Sequence, residues 1–207
     1  NARQVFALLL FGKPVVLWTA FAIAVFGLLA VYAFWIYQKH WEFHGIAIDH
    51  FGYIWAAFAL TVSLAARYAS NLEQYLGTRR LLYLVGLLPL CGLVGMALSS
   101  GWAGVLFGFA IQFSRGLSMS LFYEALNRRV PGDFRATVNS LVSLAVRAVF
   151  IVTGPLLGVA LDSLGVNSTL LLLAAVFAPL IFVVLLPLLA RIHREESADN
   201  PQAAPAA

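Results

Sequence analysis

Six long apolar runs divide the chain, and polar or turn-forming residues separate them. A helix that crosses a hydrocarbon core of about 30 Å needs about 20 apolar residues. Windows of that length predict spans near 14–37, 51–69, 81–98, 102–126, 136–161 and 169–190. None of these runs alternates with a period of two, so strands are not predicted. The pattern therefore predicts an all-α membrane protein with six transmembrane helices.

The composition agrees with a polytopic membrane protein. Hydrophobic residues make up 62% of the 207 residues and charged residues 11%, against about 45–50% and about 25% in soluble domains. The mean hydropathy is +0.90. A single cysteine, Cys91, excludes an internal disulfide and a thiol cluster. The net charge of +4 is spread over short loops, so no compact nucleic-acid-binding patch is predicted.

Lysine and arginine are distributed unevenly over the loops. They concentrate on the side that holds both termini, whereas the opposite side holds Lys39. This asymmetry predicts that both termini are cytoplasmic. The expected location is the plasma membrane, which in a bacterium is the inner membrane. Residues 1–13 are then the end of a cytoplasmic linker, and the polar residues 191–207 are predicted to be a disordered cytoplasmic tail.

Two arginines lie near the middle of apolar spans, Arg115 in the fourth and Arg147 in the fifth. A charge at the bilayer centre costs about 2.5–3.5 kcal/mol even on the lenient scale, so both side chains should face the bundle interior or a water-filled cavity. At helical spacing Gln112 shares a side with Arg115, and Ser143 shares a side with Arg147. These polar stripes predict a solvated pathway for a substrate or a coupling ion.

A structural role for the two arginines is the main alternative. Either guanidinium group could be locked by a carboxylate or by backbone carbonyls. Glu124 is nine residues from Arg115, which places it about 180° around the helix axis and about 13 Å along it, so it is a poor partner. The spans contain no Asp or Glu near their middle, so a partner carboxylate would have to come from elsewhere.

Aromatic residues cluster at the end of the first span. Tyr37 and Trp41 are predicted to form an interfacial belt, whereas Tyr32 and Trp35 lie deeper and could contact a ligand. Neither a metal site nor a cofactor is predicted, because the histidines lie in loops or in the tail and no third ligand accompanies the pair at positions 40 and 44. We therefore do not expect an enzyme.

The chain carries a weak internal similarity. YLGTRRLLYLVGLLPL, at residues 75–90, matches SLGVNSTLLLLAAVFAPL, at residues 163–180. The two segments occupy equivalent places in two triplets of helices, on opposite sides of the membrane. An inverted three-plus-three repeat has this arrangement.

Four segments together resemble the C-terminal six-helix half of a major facilitator superfamily (MFS) transporter. They are QKHWEFHGIAIDHFGYIWAAFAL at 38–60, EQYLGTRR at 73–80, RATVNSLVSLAVR at 135–147 and GPLLGVALDSLG at 154–165. In the second segment the acid lies one position further from the glycine than in the family pattern, and Thr78 separates the basic pair from Gly77. The order and spacing of the four segments carry the resemblance.

The resemblance implies secondary active transport of a small molecule by alternating access. A missing N-terminal six-helix half would complete the protein, and the first, second, fourth and fifth helices would face the central cavity. Glu73, Arg79 and Arg80 would form a cytoplasmic gating cluster. The two mid-span arginines would favour an anionic substrate, or they would neutralise a carboxylate of the other half and couple its protonation to transport, with protons as the coupling ion.

A non-transporting polytopic membrane scaffold or a channel subunit is the alternative function. A channel should show a pore-lining stripe repeated across several helices or a re-entrant filter. Neither pattern is apparent in the sequence. The partners expected in every case are the lipid bilayer and, for a transporter, a small-molecule substrate, with no nucleic acid.

Overall fold

Six long helices form the described part of the chain. The computed structural model describes the backbone of residues 14–199 and the side chains of residues 14–191. The helices are α1 Pro14–Phe43, α2 Phe51–Leu76, α3 Thr78–Leu98, α4 Gly101–Arg129, α5 Gly132–Leu164 and α6 Val166–Asp199, and a 3-10 turn at Ile48–His50 precedes α2. All six are long and apolar enough to cross a membrane. The prediction of an all-α protein with six transmembrane helices is confirmed, and it fits an integral membrane protein.

Two of the links between helices consist of a single glycine. Gly77 joins α2 to α3 and Gly165 joins α5 to α6, and both have a φ of +79°. A positive φ is costly for residues with a Cβ, which explains glycine at both places. The Gly77 N–H donates to the Glu73 carbonyl at 2.8 Å, and the Gly165 N–H donates to the Leu161 carbonyl at 3.1 Å. The two junctions therefore have the same backbone geometry.

Helices α1 and α4 lie at the centre of the bundle. Helix α1 packs against α4, α5 and α6, and α4 packs against α1, α2 and α3. Glycines on α4 allow the close approach: a Cβ added at Gly108 would lie 2.6 Å from the Phe58 ring of α2, and one added at Gly116 would lie 2.4 Å from the Val62 carbonyl oxygen. Small residues at these positions let the backbones approach where lipid provides no hydrophobic drive.

The two triplets of helices, α1–α3 and α4–α6, make equivalent contacts. Besides the central pair, α1 packs on α5 and α6 as α4 packs on α2 and α3, while α3 packs on α6. Smaller contacts join α2 to α3 and α5 to α6. If α1 is exchanged with α4, α2 with α5 and α3 with α6, each of these contacting pairs becomes another contacting pair. The two triplets are thus packed alike.

Helices α2 and α5 are the least covered members of the bundle. Of the most apolar stretch of α5, 6% is buried, and of α2, 17%. The corresponding share is 44–50% for the other four helices. Helix α5 makes its main contact with α1 and a smaller one with α6, so most of its surface is open within these six helices.

Three sequence-based predictions need correction or fall outside the described residues. Helix α1 continues to Phe43, so His40 and Trp41 are helical and fully buried, not in a loop or an interfacial belt. Trp41 and the equally buried Tyr37 pack on Phe58 instead. Helix α6 continues to Asp199, so residues 191–199 of the predicted disordered tail are helical. Residues 1–13 and 200–207 lie outside the described residues.

Candidate functional site

The two central helices enclose a cleft of about 340 Å³. From α1 it is lined by Ile23, Phe26, Gly27, Ala30, Val31 and Phe34. From α4 it is lined by Arg115, Ser118, Met119, Phe122 and Tyr123. Its volume lies within the range of about 300–1,000 Å³ that is typical of small-molecule sites.

Arg115 is the charged residue of this cleft. It is the middle residue of α4, which has 29 residues, so it lies near the depth of the bilayer centre if α4 spans symmetrically. Its side chain is half-buried. No hydrogen bond or ion pair joins the guanidinium group to another residue of the part of the chain described here.

A structural lock on Arg115 is therefore not formed by the side chains that the structure describes. Both alternatives for such a lock, a carboxylate or backbone carbonyls, would leave a contact to the guanidinium group. Glu124 is engaged elsewhere, because Arg128 donates to its carboxylate one turn further along α4. The guanidinium group is left available to water, to a ligand or to a group outside this chain.

The shape of the cleft follows from small residues on α1 and aromatic residues at its base. Gly27 lacks a side chain towards α5, where a Cβ would lie 3.3 Å from Val146. The rings of Phe26 and Phe122 meet across the α1–α4 interface with centroids 5.4 Å apart. The cleft therefore has an apolar floor, with Arg115 placed above it.

Arg147 lies outside the cleft and is not packed in the interior of these six helices, so the prediction that it faces the bundle interior or a water-filled cavity remains only in its second form. It is one residue from the middle of α5 and exposed. The adjacent Val146 packs on Gly27, which itself lines the cleft, so the two arginines lie at a similar depth. Neither α1 nor α6 covers the Arg147 side chain, which is exposed.

The polar neighbours of the arginines do not line the cleft either. Gln112 is buried in α4, and its Oε1 atom has no hydrogen-bond partner in the described chain. A buried polar atom of this kind calls for water or a ligand atom. Ser143 is half-buried on α5. Both residues remain candidates for a pathway, one helical turn from Arg115 and from Arg147 respectively.

Tyr32 is held by protein contacts rather than open to a ligand. Its hydroxyl donates to Thr153 of α5. Its ring meets Phe150 of α5 and Phe177 of α6 edge to face, with centroids 5.5 and 5.8 Å apart. This residue joins three helices, and the described structure gives no support to the prediction that it contacts a ligand.

Trp35 lines a second cavity, of about 920 Å³, between α1 and α5 at the end of the bundle opposite Pro14. Gln38 and Lys39 of α1 and Gly154 of α5 also line it. The Lys39 ammonium group lies 3.2 Å from the Glu42 carboxylate, so its charge is paired. Both side chains are exposed. The side of α5 that carries Arg147 continues into this cavity at i+4 and i+7 spacing.

The predicted gating residues are divided by the structure. Glu73 lines a cavity of about 390 Å³ at the end of the bundle where α1 begins. Its carboxylate accepts a hydrogen bond from the Thr78 hydroxyl at 2.9 Å. Arg79 and Arg80 are exposed and do not line this cavity. In this arrangement the two arginines therefore do not share a cavity with Glu73, and the gating cluster stays a prediction.

Other charged residues take the place of Arg79 and Arg80. The cavity around Glu73 also contains Glu124, Arg128, Arg129 and Arg191, and Arg128 pairs with Glu124. The sequence carried one signal for this pair, an acid and an arginine at i,i+4 spacing. Arg191 of α6 and Glu73 of α2 line the same cavity because α6 packs on α1 and α3 and α2 packs on α4, which hydropathy and spacing do not give.

The described residues contain no group of three or more His, Cys, Asp or Glu side chains that could hold a metal ion. His40 and His44 do lie together, with ring centroids 4.4 Å apart. His40 Nε2 is 3.0 Å from the Met96 carbonyl oxygen, which ties α1 to α3.

In comparisons with known proteins, no family model, no curated protein and no solved structure matches this chain.

Proposed function

We propose that this chain is the C-terminal six-helix half of an MFS-type transporter, and that it moves a small molecule across the membrane by alternating access. The observation that carries the proposal is Arg115, which lies at mid-helix in a cleft between the two central helices and whose guanidinium group has no partner among the side chains of residues 14–191. A charge at this depth is costly unless it faces a ligand, a coupling ion or a group of opposite charge. The substrate then carries an anionic group.

The helix packing supports an inverted three-plus-three repeat. The exchange of the two triplets preserves the contacts between helices, and Gly77 and Gly165 make equivalent junctions. Transporters built from inverted repeats place their binding site near the midplane, where the repeats meet. In this chain that place is the α1–α4 interface, which contains Arg115.

The uncovered helices support a second six-helix unit. Arg147 is exposed near the middle of α5, and a lipid-facing arginine at this depth is costly. An N-terminal half that packs over α2 and α5 would shield it and close the α1–α4 cleft. A carboxylate of that half beside either arginine would have a proton affinity that depends on its distance from the guanidinium group. A conformational change that alters this distance would couple proton uptake and release to transport.

The cellular setting follows from the charge distribution. Both termini are cytoplasmic in this proposal because basic residues favour the cytoplasmic side. The cavity that contains Glu73, Arg128 and Arg191 then opens to the cytoplasm, and the one that contains Trp35 opens to the outside. The membrane is the plasma membrane, or the inner membrane of a bacterium.

Flux measurements on the complete protein test the proposal. Purified protein is reconstituted into vesicles and screened with radiolabelled monocarboxylates, dicarboxylates, phosphate and amino acids. We expect saturable flux of at least one anion, and we expect Arg115→Gln to reduce it at least tenfold. Arg67→Gln serves as the control because Arg67 is exposed on α2 and does not line the cleft. Flux that never saturates would indicate a channel, and no flux with any anion would favour a scaffold.

A further inference from the structure

We infer that the α1–α4 cleft selects an organic anion with a single carboxylate on an aromatic or apolar body. The inference rests on the proposed transport function and names its substrate class. It follows from the number of charges in the cleft, from the chemistry of its walls and from the hydrogen-bonding groups that remain free there.

The cleft offers one positive charge. Arg115 lines it, whereas Arg147 does not. No acidic residue lines the cleft, so the charge of Arg115 is not cancelled by a neighbouring wall residue. The planar guanidinium group binds a carboxylate through two parallel N–H···O bonds. One such group matches one carboxylate, and a second negative charge on the ligand would be buried without a partner.

The remaining walls are apolar or aromatic. Phe26 and Phe122 form the floor. Phe34 and Met119 project into the cleft with 45% and 46% of their surfaces exposed. These side chains can cover the two faces of a planar ring, since aromatic pairs prefer offset or edge-to-face contact. A strongly polar body, such as a sugar or an amino acid zwitterion, would leave its polar groups unpaired against these walls.

Besides Arg115, few polar groups in the cleft could form a hydrogen bond to the ligand. The Ser118 hydroxyl donates to the Arg115 carbonyl oxygen at 3.0 Å, so its proton is engaged within the helix. Tyr123 is half-buried at the edge of the cleft and is the other polar lining side chain. Recognition of the ligand's polar end therefore depends mainly on the guanidinium group.

Equilibrium dialysis of the purified complete protein with radiolabelled benzoate tests the inference. Benzoate has one carboxylate on one ring. Three competitors separate the contributions: benzyl alcohol keeps the ring without the charge, benzylamine reverses the charge, and succinate carries two carboxylates without a ring. We expect saturable benzoate binding that an excess of unlabelled benzoate displaces and that equal concentrations of the three competitors leave nearly unchanged.

Variants locate the binding in the cleft. Arg115→Gln should weaken benzoate binding about 10- to 100-fold, as expected for the loss of a charge-assisted pair. Arg115→Lys should restore part of it, because the charge remains without the planar fork. Phe34→Ala should weaken benzoate binding several-fold, and Arg67→Gln should leave it unchanged. If Arg115→Gln does not fold, Met119→Glu replaces it, since an added carboxylate in the cleft should abolish binding.

Several results would overturn the inference. Succinate or phosphate that binds as tightly as benzoate, benzyl alcohol that competes equally, or an unchanged affinity in Arg115→Gln or Met119→Glu would each contradict it. Failure of this inference is distinguishable from failure of the proposed function. Saturable flux of a different anion with no benzoate binding rejects the substrate class alone. Benzoate binding without flux of any anion rejects transport and leaves the site in place.

Discussion

Replacing Arg147 with leucine should favour membrane insertion of α5 when the six helices are alone. Arg147 is one residue from the middle of α5, which spans Gly132–Leu164, so it lies within about 2 Å of that helix's midpoint. The side chain is exposed on a helix of which 6% of the apolar stretch is buried. Removing a central charge and adding leucine should gain about 3–4 kcal/mol. That gain corresponds to a factor on the order of 10²–10³ in the insertion equilibrium.

A glycosylation assay measures this equilibrium directly. An acceptor loop inserted at the α5–α6 link is modified in microsomes when α5 crosses the membrane, and the modified fraction reports insertion. Arg147→Leu should move this fraction towards completion. Arg147→Lys is the matched control, because it retains the charge and should leave the fraction near that of the unchanged chain.

The opposite effect is expected in the complete protein. In the proposed two-half transporter the second half covers α5, so Arg147→Leu should lower transport at least tenfold because a buried countercharge loses its partner. For the six helices alone, a modified fraction that Arg147→Leu leaves unchanged in the glycosylation assay would refute the reasoning. It would mean that Arg147 is already solvated or paired within these six helices.

The remaining predictions concern packing and the α2–α3 junction. Gly104→Ala should destabilise the protein by about 2–4 kcal/mol, because its Cβ would lie 2.2 Å from His40 Cε1 and would displace a buried, hydrogen-bonded ring. Steric-trapping unfolding in bicelles measures the free energy of unfolding. A loss below about 1 kcal/mol would contradict this packing. Gly158→Ala is the control, expected to be neutral or stabilising by up to about 1 kcal/mol, since no atom lies within 4 Å of its added Cβ. Thr78→Val should cost about 1 kcal/mol in the same assay through loss of the hydrogen bond to Glu73, and an unchanged stability would show that water replaces the hydroxyl fully.

The helices could be located from the sequence because hydrocarbon thickness imposes a length on each apolar run. The predicted positions near 14–37 to 169–190 each fall within a helix. The ends were less predictable, since no hydropathy signal distinguishes a helix that continues beyond the apolar run. Helix α1 therefore reaches Phe43, and α6 reaches Asp199.

The site was only partly predictable because side-chain partners depend on how each helix is rotated. The cost of a buried charge was enough to suggest that Arg115 faces inward, and it lines the cleft. Arg147 is exposed within the six helices, because the cost of a charge at the bilayer centre requires a cover or water and does not determine which chain provides it. The contact of Tyr32 with Thr153 could not be predicted, because the two residues are 121 positions apart in the sequence.

The central claim is that the α1–α4 cleft at Arg115 is open to water from each side of the membrane in turn. Cysteine accessibility tests it most directly. Met119→Cys in a Cys91→Ser background places one thiol in the cleft, and Val183→Cys on an exposed side of α6 serves as the control. With the complete protein in sealed vesicles, a membrane-impermeant thiol reagent should label Met119→Cys when added to either side and should not label Val183→Cys. Labelling of Met119→Cys from neither side, or from one side alone, would contradict the account.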